Sequence, residues 1–338
     1  MSRDWCDRDL VERISLFLRT NQNHLGRPIL IFCCGGDPKK YPARSELKRY
    51  IDVSKLQGLS NVFCFHAETV AEESVFGDLD LLTQEAIIAD ASDSLILFAE
   101  SVGSFCELGA FAALPHIRAI LTIGVDKKHG ASKSFLNDGP VKMVAEEGLP
   151  LNKVFPLDLS CPMKSEEFTA FVNRIRETVA AGQNYKLTKG RKSFNKKEDE
   201  VWVGPLVHEL LDLVYIFGPV STKELVRLYC RLKGFSQKRV KILSPTIERD
   251  VKRDKATVLT FEQVISFMSA MGIVRSVEFD GVRLYHTELE IEHLFMFKES
   301  ARNAIDAIIA KNALSKRARR EEGSINVYRR YDDKRPPS

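Results

Sequence analysis

Three carboxylates bracket one apolar run in the stretch Asp93-Ser-Leu-Ile-Leu-Phe-Ala-Glu100-Ser-Val-Gly103-Ser104-Phe-Cys-Glu107. A second loop, Gly35-Gly36-Asp37, follows another apolar run and offers exposed amides and a carboxylate to a sugar or phosphate. Several carboxylates beside open glycine loops, without histidines at metal-ligand spacing, suit ribosyl chemistry. An N-glycosidic bond breaks through an oxocarbenium-like transition state, so negative charge beside C1′ stabilises it by several kcal/mol. One carboxylate attacks or stabilises C1′; another holds sugar hydroxyls or protonates the base. The competing readings are structural. Ser104 and Glu107 alone form a helix capping box, Asp93 is a turn residue, Glu100 a solvated acid, and Asp37 caps its own loop. Arg44 either reaches a phosphate or makes a surface ion pair. Asn137 either lines a later loop or shapes the Asp138-Gly139-Pro140 turn. Cys33, Cys34 and Cys106 are weak nucleophile candidates with no histidine beside them in sequence, and His66 is a turn histidine or a base contact.

The elements that must hold these residues are legible as an alternation. Apolar runs at 28–34, 61–65, 94–98, 119–125 and 153–157 read as strands, the first fully apolar and bounded by Gly and Pro as buried parallel strands are. Amphipathic stretches at 9–20, 44–57, 78–91, 105–114 and 164–181 read as helices. Strands alternating with helices imply a parallel sheet covered on both faces, with ligand groups at the carboxyl ends of its strands. In this reading Ser104 caps the helix that begins near Phe105, and Gly109 and Ala110 let it approach the sheet or a ligand.

Beyond 182 the character changes. Residues 186–197 hold six Lys and Arg and no acid, which marks a basic linker over 183–200. Helices follow, opened by Ser221-Thr-Lys-Glu224 and Thr260-Phe-Glu-Gln263 as capping boxes. Gly272 closes the second of them. Two alternating runs then flank Asp280-Gly281, a hairpin signal. Short helices before a two-stranded hairpin are the order of a winged helix-turn-helix domain over 201–297. Residues 298–338 read as a helix and a basic tail. Between 223 and 255 stand 11 Lys and Arg against 4 Asp and Glu. Lys192, Lys196, Lys238, Arg239, Lys241, Arg249, Lys252 and Arg253 are therefore the candidate contacts to nucleic acid or a partner.

The 50 basic and 46 acidic side chains of the 338-residue chain nearly cancel, so net charge says little and distribution says more. The seven cysteines lack a zinc-type pairing, and no metal is expected. Buried thiols, the absence of an apolar leader in MSRDWCDRDL and the absence of a 20-residue apolar run lead us to expect a cytoplasmic protein away from the membrane.

The run Ser101-Val-Gly-Ser-Phe-Cys-Glu-Leu-Gly-Ala-Phe111 resembles the catalytic segment of nucleoside 2-deoxyribosyltransferase-like proteins. With Ile31–Asp37, Glu85, Asp93–Phe98, Glu100 and Ser134–Val141, the chain resembles the effector proteins of antiphage retrons that join such a domain to a C-terminal winged helix. The resemblance implies a flavodoxin- or Rossmann-like α/β domain over 1–182 and N-glycosidase or (deoxy)ribosyltransferase activity. It places Glu107 on the catalytic glutamate, with Asp93 and Glu100 flanking the pocket. Gly35, Gly36 and Asp37, together with Gly103, Ser104 and Asn137, fall on the substrate loops. It further implies NAD or a nucleotide as substrate rather than cofactor, a retron reverse transcriptase and its multicopy single-stranded DNA as partners, self-assembly into oligomers or filaments, and abortive infection as the outcome. Cys33-Cys34-Gly-Gly-Asp departs from the Asp-Gly-rich start of the metabolic enzymes, which favours hydrolysis or a nucleotide-sized substrate over free-nucleoside exchange. The rivals in other classes are a nucleotide-sensing DNA-binding regulator and a structural subunit of a reverse transcriptase–DNA particle.

Overall fold

A computed structural model describes residues 28–54, 62–71, 75–77, 79–128, 133–147, 152–189, 199–244, 257–279 and 281–287. The helices expected at 9–20 and from 298, and the basic positions Lys192, Lys196, Arg249, Lys252 and Arg253, lie outside these residues. The chain divides into two units.

The larger unit spans Pro28–Val207 and Lys241–Met271. Its centre is a five-stranded sheet of order β2-β1-β3-β4-β5. The strands are β1 (Ile29–Cys34), β2 (Val62–Phe65), β3 (Ser94–Ala99), β4 (Leu121–Asp126) and β5 (Val154–Leu157). All neighbours pair in parallel. β1 and β3 are buried along their whole length, which explains why they read as unbroken apolar runs rather than alternating ones. One sheet face, with Ile29, Ile31, Cys33, Ile96 and Phe98, packs on α1 (Ala43–Ser54) and α7 (Phe168–Lys189) through Leu47, Ile51, Phe171 and Ile175. On the other face Phe32 meets Phe111 edge-on at 6.5 Å. Phe111 belongs to α4 (Val102–Ala113), which follows α2 (Ala67–Ala71) and α3 (Leu81–Ala91); α5 is the single turn Pro115–Arg118. The order 2-1-3-4-5 puts a topological switch between β1 and β3, and ligands of open α/β sheets sit outside the carboxyl ends of the strands there. The loops carrying Gly35-Gly36 and Glu100 leave from those two ends.

Two boundaries differ from expectation. α4 starts at Val102 and not near Phe105, because Ser101 and not Ser104 is its N-cap. α7 continues through Lys189, so the first part of the supposed linker is helical. A second sheet of this unit joins β6 (Glu200–Trp202), β8 (Lys241–Ser244) and β9 (Thr257–Leu259). The helix α10 (Phe261–Ala270) also belongs here, capped by Thr260 and Gln263 as read.

The smaller unit takes in His208–Val240 and the residues from Gly272 onward. It holds most of α8 (Val203–Phe217), β7 (Val220–Ser221) and α9 (Thr222–Lys233), followed by the hairpin β10 (Arg275–Phe279) and β11 (Val282–His286). β11 pairs with both β10 and β7. Ser221 and Glu224 form the reciprocal cap expected of them. Tyr229 donates to Glu209 at 2.8 Å and Lys233 joins the same carboxylate, fastening α9 to α8. Helix, strand, helix and hairpin follow one another in this unit, while residues 241–271 group with the α/β unit. Lys238, Arg239 and Lys241 are exposed. Among the described residues no helix is long and apolar enough to cross a membrane.

Candidate functional site

Glu107 owes its position to α4. The buried side of that helix is the stripe Ser104, Leu108 and Phe111, and Glu107 lies on it, one turn before Phe111. Phe111 meets Phe32 of β1, and the thiol of Cys34, at the end of the same strand, feels the charges of Glu107, Glu85, Arg44 and Glu68. The carboxylate therefore stands at the carboxyl edge of the sheet. It is half-buried, and its Oε2 is buried with no hydrogen-bond partner.

Glu100 enters the same place from the end of β3. Its Oε1 accepts the Gly36 N–H at 3.1 Å, which ties the β3 loop to the β1 loop across the switch point. Its Oε2 is also buried and unpartnered. Ser104 locks this loop to α4. Its hydroxyl accepts from the Glu100 and Ser101 amides at 3.0 and 2.9 Å and donates to the Ser101 carbonyl at 2.9 Å. Ser104 is fully buried in that role, so it fixes Glu100 relative to Glu107 and faces no ligand.

Two further glutamates complete the group. Glu85 stands on α3, and Glu68 on α2 takes both terminal nitrogens of Arg44 at 2.9 and 2.7 Å. Burial raises Glu85 to about 8, with Glu107 and Glu68 adding repulsion that Arg44 only partly offsets. Burial likewise lifts Glu107 to about 7 against the pull of Arg44. Glu100 also rises to about 7 by burial, held back by the Gly36 amide. For Glu68 burial acts upward, but the bonds from Arg44 outweigh it and hold the carboxyl below its ordinary value. Near neutral pH the site thus pairs a mostly protonated acid, Glu85, with carboxyls at mid-titration. Acid and base roles separate where environments drive neighbouring pKa values apart.

The glycines are required by crowding. A Cβ on Gly36 would lie 2.3 Å from the Tyr41 ring, and one on Gly35 would lie 2.9 Å from Glu100 Oε1 and 3.0 Å from the Arg44 stem. Gly36→Ala is expected to cost about 1–3 kcal/mol, as overpacking does. It should appear as a lower urea midpoint at unchanged slope. Gly35→Ala would meet Glu100 Oε1 and the buried stem of Arg44 at a φ of +158° that side chains rarely adopt, so it should lower stability as well as displace Glu100.

Other expected site residues are placed elsewhere or otherwise employed. Asp93 precedes β3 and so lies at the amino edge of the sheet, roughly 20 Å from Glu100 at strand rise. It is buried there, and its carboxylate accepts the Leu30 N–H at 2.9 Å while its own amide donates to the Leu30 carbonyl at 2.7 Å. Asp93 therefore fastens β1 to β3 and is not brought to Glu100 and Glu107. Asp37 is exposed and accepts the Lys39 amide at 2.9 Å, closing its own turn. Arg44 is only 2% exposed and occupied by Glu68, so neither the phosphate contact nor the surface ion pair describes it. Gly103 is exposed in the first turn of α4, and Gly109 faces open space rather than the sheet. Asn137 opens a π-helical turn, Asn137–Val141, that packs on α4; its amide donates to Ser134 Oγ at 3.2 Å. Burial pushes the thiols of Cys33 and Cys34 far up, so neither supplies a thiolate at neutral pH. Burial likewise lowers His66, which stays neutral.

Glu68 went unread in the sequence, and Glu85 was legible only through resemblance. A glutamate in a helix is ordinary, and the partner that marks Glu68 is 24 positions away. The misplacement of Asp93 had an available signal: a residue before a parallel strand and one after it lie at opposite edges.

Comparison with known proteins gives this arrangement relatives. A protein of retron Ec86 from Escherichia coli, whose name proposes a ribosyltransferase/DNA-binding protein, is 30% identical over 276 residues, covering 78% of this chain and 84% of its own. A protein of retron Ec73 from Escherichia coli, with the same proposal in its name, is 26% identical over 218 residues, covering 60% of this chain and 66% of its own. The family described as STM3845 retron effector protein matches residues 40–276, which include Glu68, Glu85, Glu100 and Glu107. With that match across most of its length, the chain belongs to the STM3845 retron effector protein family.

Proposed function

We propose that this retron effector cleaves, or transfers at, the N-glycosidic bond of a nucleotide, nucleoside or NAD, with Glu107 at C1′ and Glu85 as proton donor. The observation that carries the reading is the half-buried Glu107 with its unpartnered Oε2, set beside a protonated glutamate at the switch point of the sheet. In the proposed step the C1′–N bond breaks and its electron pair leaves with the base. The carboxylate of Glu107 meets the positive charge at C1′, and Glu85 delivers a proton to a base that would otherwise depart as an anion. Water or another acceptor then takes C1′. Glu100, held by the Gly36 amide, is the candidate for the sugar hydroxyls.

The names of the Escherichia coli relatives support the ribosyl reading and, for the second unit, contact with DNA. Family membership supports control by a retron reverse transcriptase and its single-stranded DNA, with toxicity to the infected cell on release. We further propose that the smaller unit works as a winged helix. The test of the chemistry uses the purified full chain with NAD, nucleotides and nucleosides, following the free base by chromatography. Base release that is lost in Glu107→Gln supports the assignment. Ligand binding without consumption would replace it with a nucleotide sensor.

For the nucleic-acid arm, phosphate contacts should dominate. Neutralising about six phosphates gives a slope of log affinity against log salt near −5 on duplex DNA, and a shallower one on single strands. Affinity that does not change with salt would assign the basic residues to a protein partner.

A further inference from the structure

Arg44 has a role that neither its neighbours in sequence nor the ribosyl reading assigns. It starts α1, and its side chain is 2% exposed, which for an arginine demands partners on every side. Glu68 supplies two bonds to the terminal nitrogens, in the side-by-side geometry that fixes a guanidinium in orientation as well as distance. The Nε–H is buried without a partner. The stem runs against the β1 loop: its Cγ and Cδ lie 3.0 Å from the point where a Gly35 side chain would begin, and Glu100 Oε1 lies 2.9 Å from that same point. Arg44 and Glu100 therefore converge on the same side of Gly35, from different elements.

The charged and titratable groups facing this guanidinium come from every surrounding element. They are Glu68 on α2, Glu85 on α3, Glu100 after β3 and Glu107 on α4, with Cys33 and Cys34 on β1 and His66 after β2; Lys48, also on α1, adds positive charge at His66. Four carboxyls thus share one buried cation. Lys153, also mostly buried among the described residues, is committed to the Arg118 and Ala119 carbonyls.

We propose that Arg44 is a positioning residue: clamped by Glu68, it fixes the placement and charge state of Glu107 and Glu100 without itself touching substrate. A bound phosphate would need the two nitrogens that Glu68 holds. The charge of Arg44 favours ionised Glu107 and Glu100, whereas that of Glu68 opposes ionisation of Glu107. The pair is thus a fixed dipole beside the carboxylate, and its two halves push Glu107 in opposite directions. This rests on the reading of Glu107 as the group at C1′.

The test follows the carboxyl of Glu107 by ¹³C NMR in the full chain, assigned by its disappearance in Glu107→Gln. Removing the acid in Glu68→Gln should lower the Glu107 midpoint by about one pH unit, and removing the cation in Arg44→Met should raise it by about one. The acid limb of base release should move with each. Glu68 is half-exposed, so Glu68→Gln is expected to fold even where Arg44→Met does not, and it then decides alone. An unmoved or raised midpoint in folded Glu68→Gln overturns the proposal. So does a folded Arg44→Met whose melting temperature falls while the titration stays in place, which would make the arginine a packing residue only. Full turnover in Glu107→Gln would sink the glycosidic reading instead, and the NMR titration would still judge Arg44.

Discussion

Glu107→Gln is expected to cut base release by at least about 10³-fold while the protein stays folded. The amide keeps the size and one oxygen of the carboxylate but has no negative charge to meet the developing cation at C1′, and it cannot form a glycosyl ester. Folding should survive because the side chain pays for no hydrogen bond at Oε2. Stability should even rise at pH 8, where the wild-type carboxyl must be ionised in a half-buried site that raises it to about 7. The measurement is released base per enzyme per minute, alongside a thermal melt. Expression of the effector alone should stop growth, and the same variant should restore it. Wild-type turnover in the Gln variant would remove Glu107 from the chemistry.

Glu85→Gln carries the second large effect. A positioned general acid contributes about 10²–10⁴-fold, so turnover of substrates whose base departs as an anion should fall by that factor. With NAD, whose nicotinamide leaves neutral, the loss should stay within about tenfold, because no proton is required. The wild-type profile should be a narrow bell. Activity rises as Glu107 ionises near 7 and falls as Glu85 loses its proton near 8. The two midpoints belong to the interacting pair rather than to single residues. Glu85→Gln should abolish the alkaline limb; a profile that keeps it assigns the acid elsewhere.

Stability carries the same signature with a definite sign. Glu85 titrates at about 8 in the folded chain, above its ordinary 4.5. Between those values the folded state holds a proton that the unfolded state has released. The associated stability is therefore complete below about pH 4.5 and is lost as pH rises toward 8. Allowing for partial exposure, the loss is on the order of 2 kcal/mol. Glu85→Gln should flatten that part of the curve of melting temperature against pH.

Local patterns of residues are enough to find the elements. Apolar runs such as Ile29–Cys34 and Ser94–Ala99 announce buried parallel strands because both their faces must be covered. Ser221 with Glu224 and Thr260 with Gln263 announce helix starts, since the bonds concerned span three residues. Such signals are local, and local energetics suffices to read them. The same logic fails at Ser104, where two overlapping caps compete: Ser101 with Ser104 is formed, and Ser104 with Glu107 is not.

Which acids meet is settled by long-range packing. Glu100 reaches Gly36 across 64 positions and Glu68 reaches Arg44 across 24, and both encounters exist because the parallel sheet brings its carboxyl ends to one edge. Asp93 is closer in sequence to Glu100 than either, yet the length of β3 carries it to the opposite edge. Charge behaves likewise. A glutamate's proton affinity depends on burial and on the charges around it, and those surroundings come into being only when β1, β3 and the helices over them have packed.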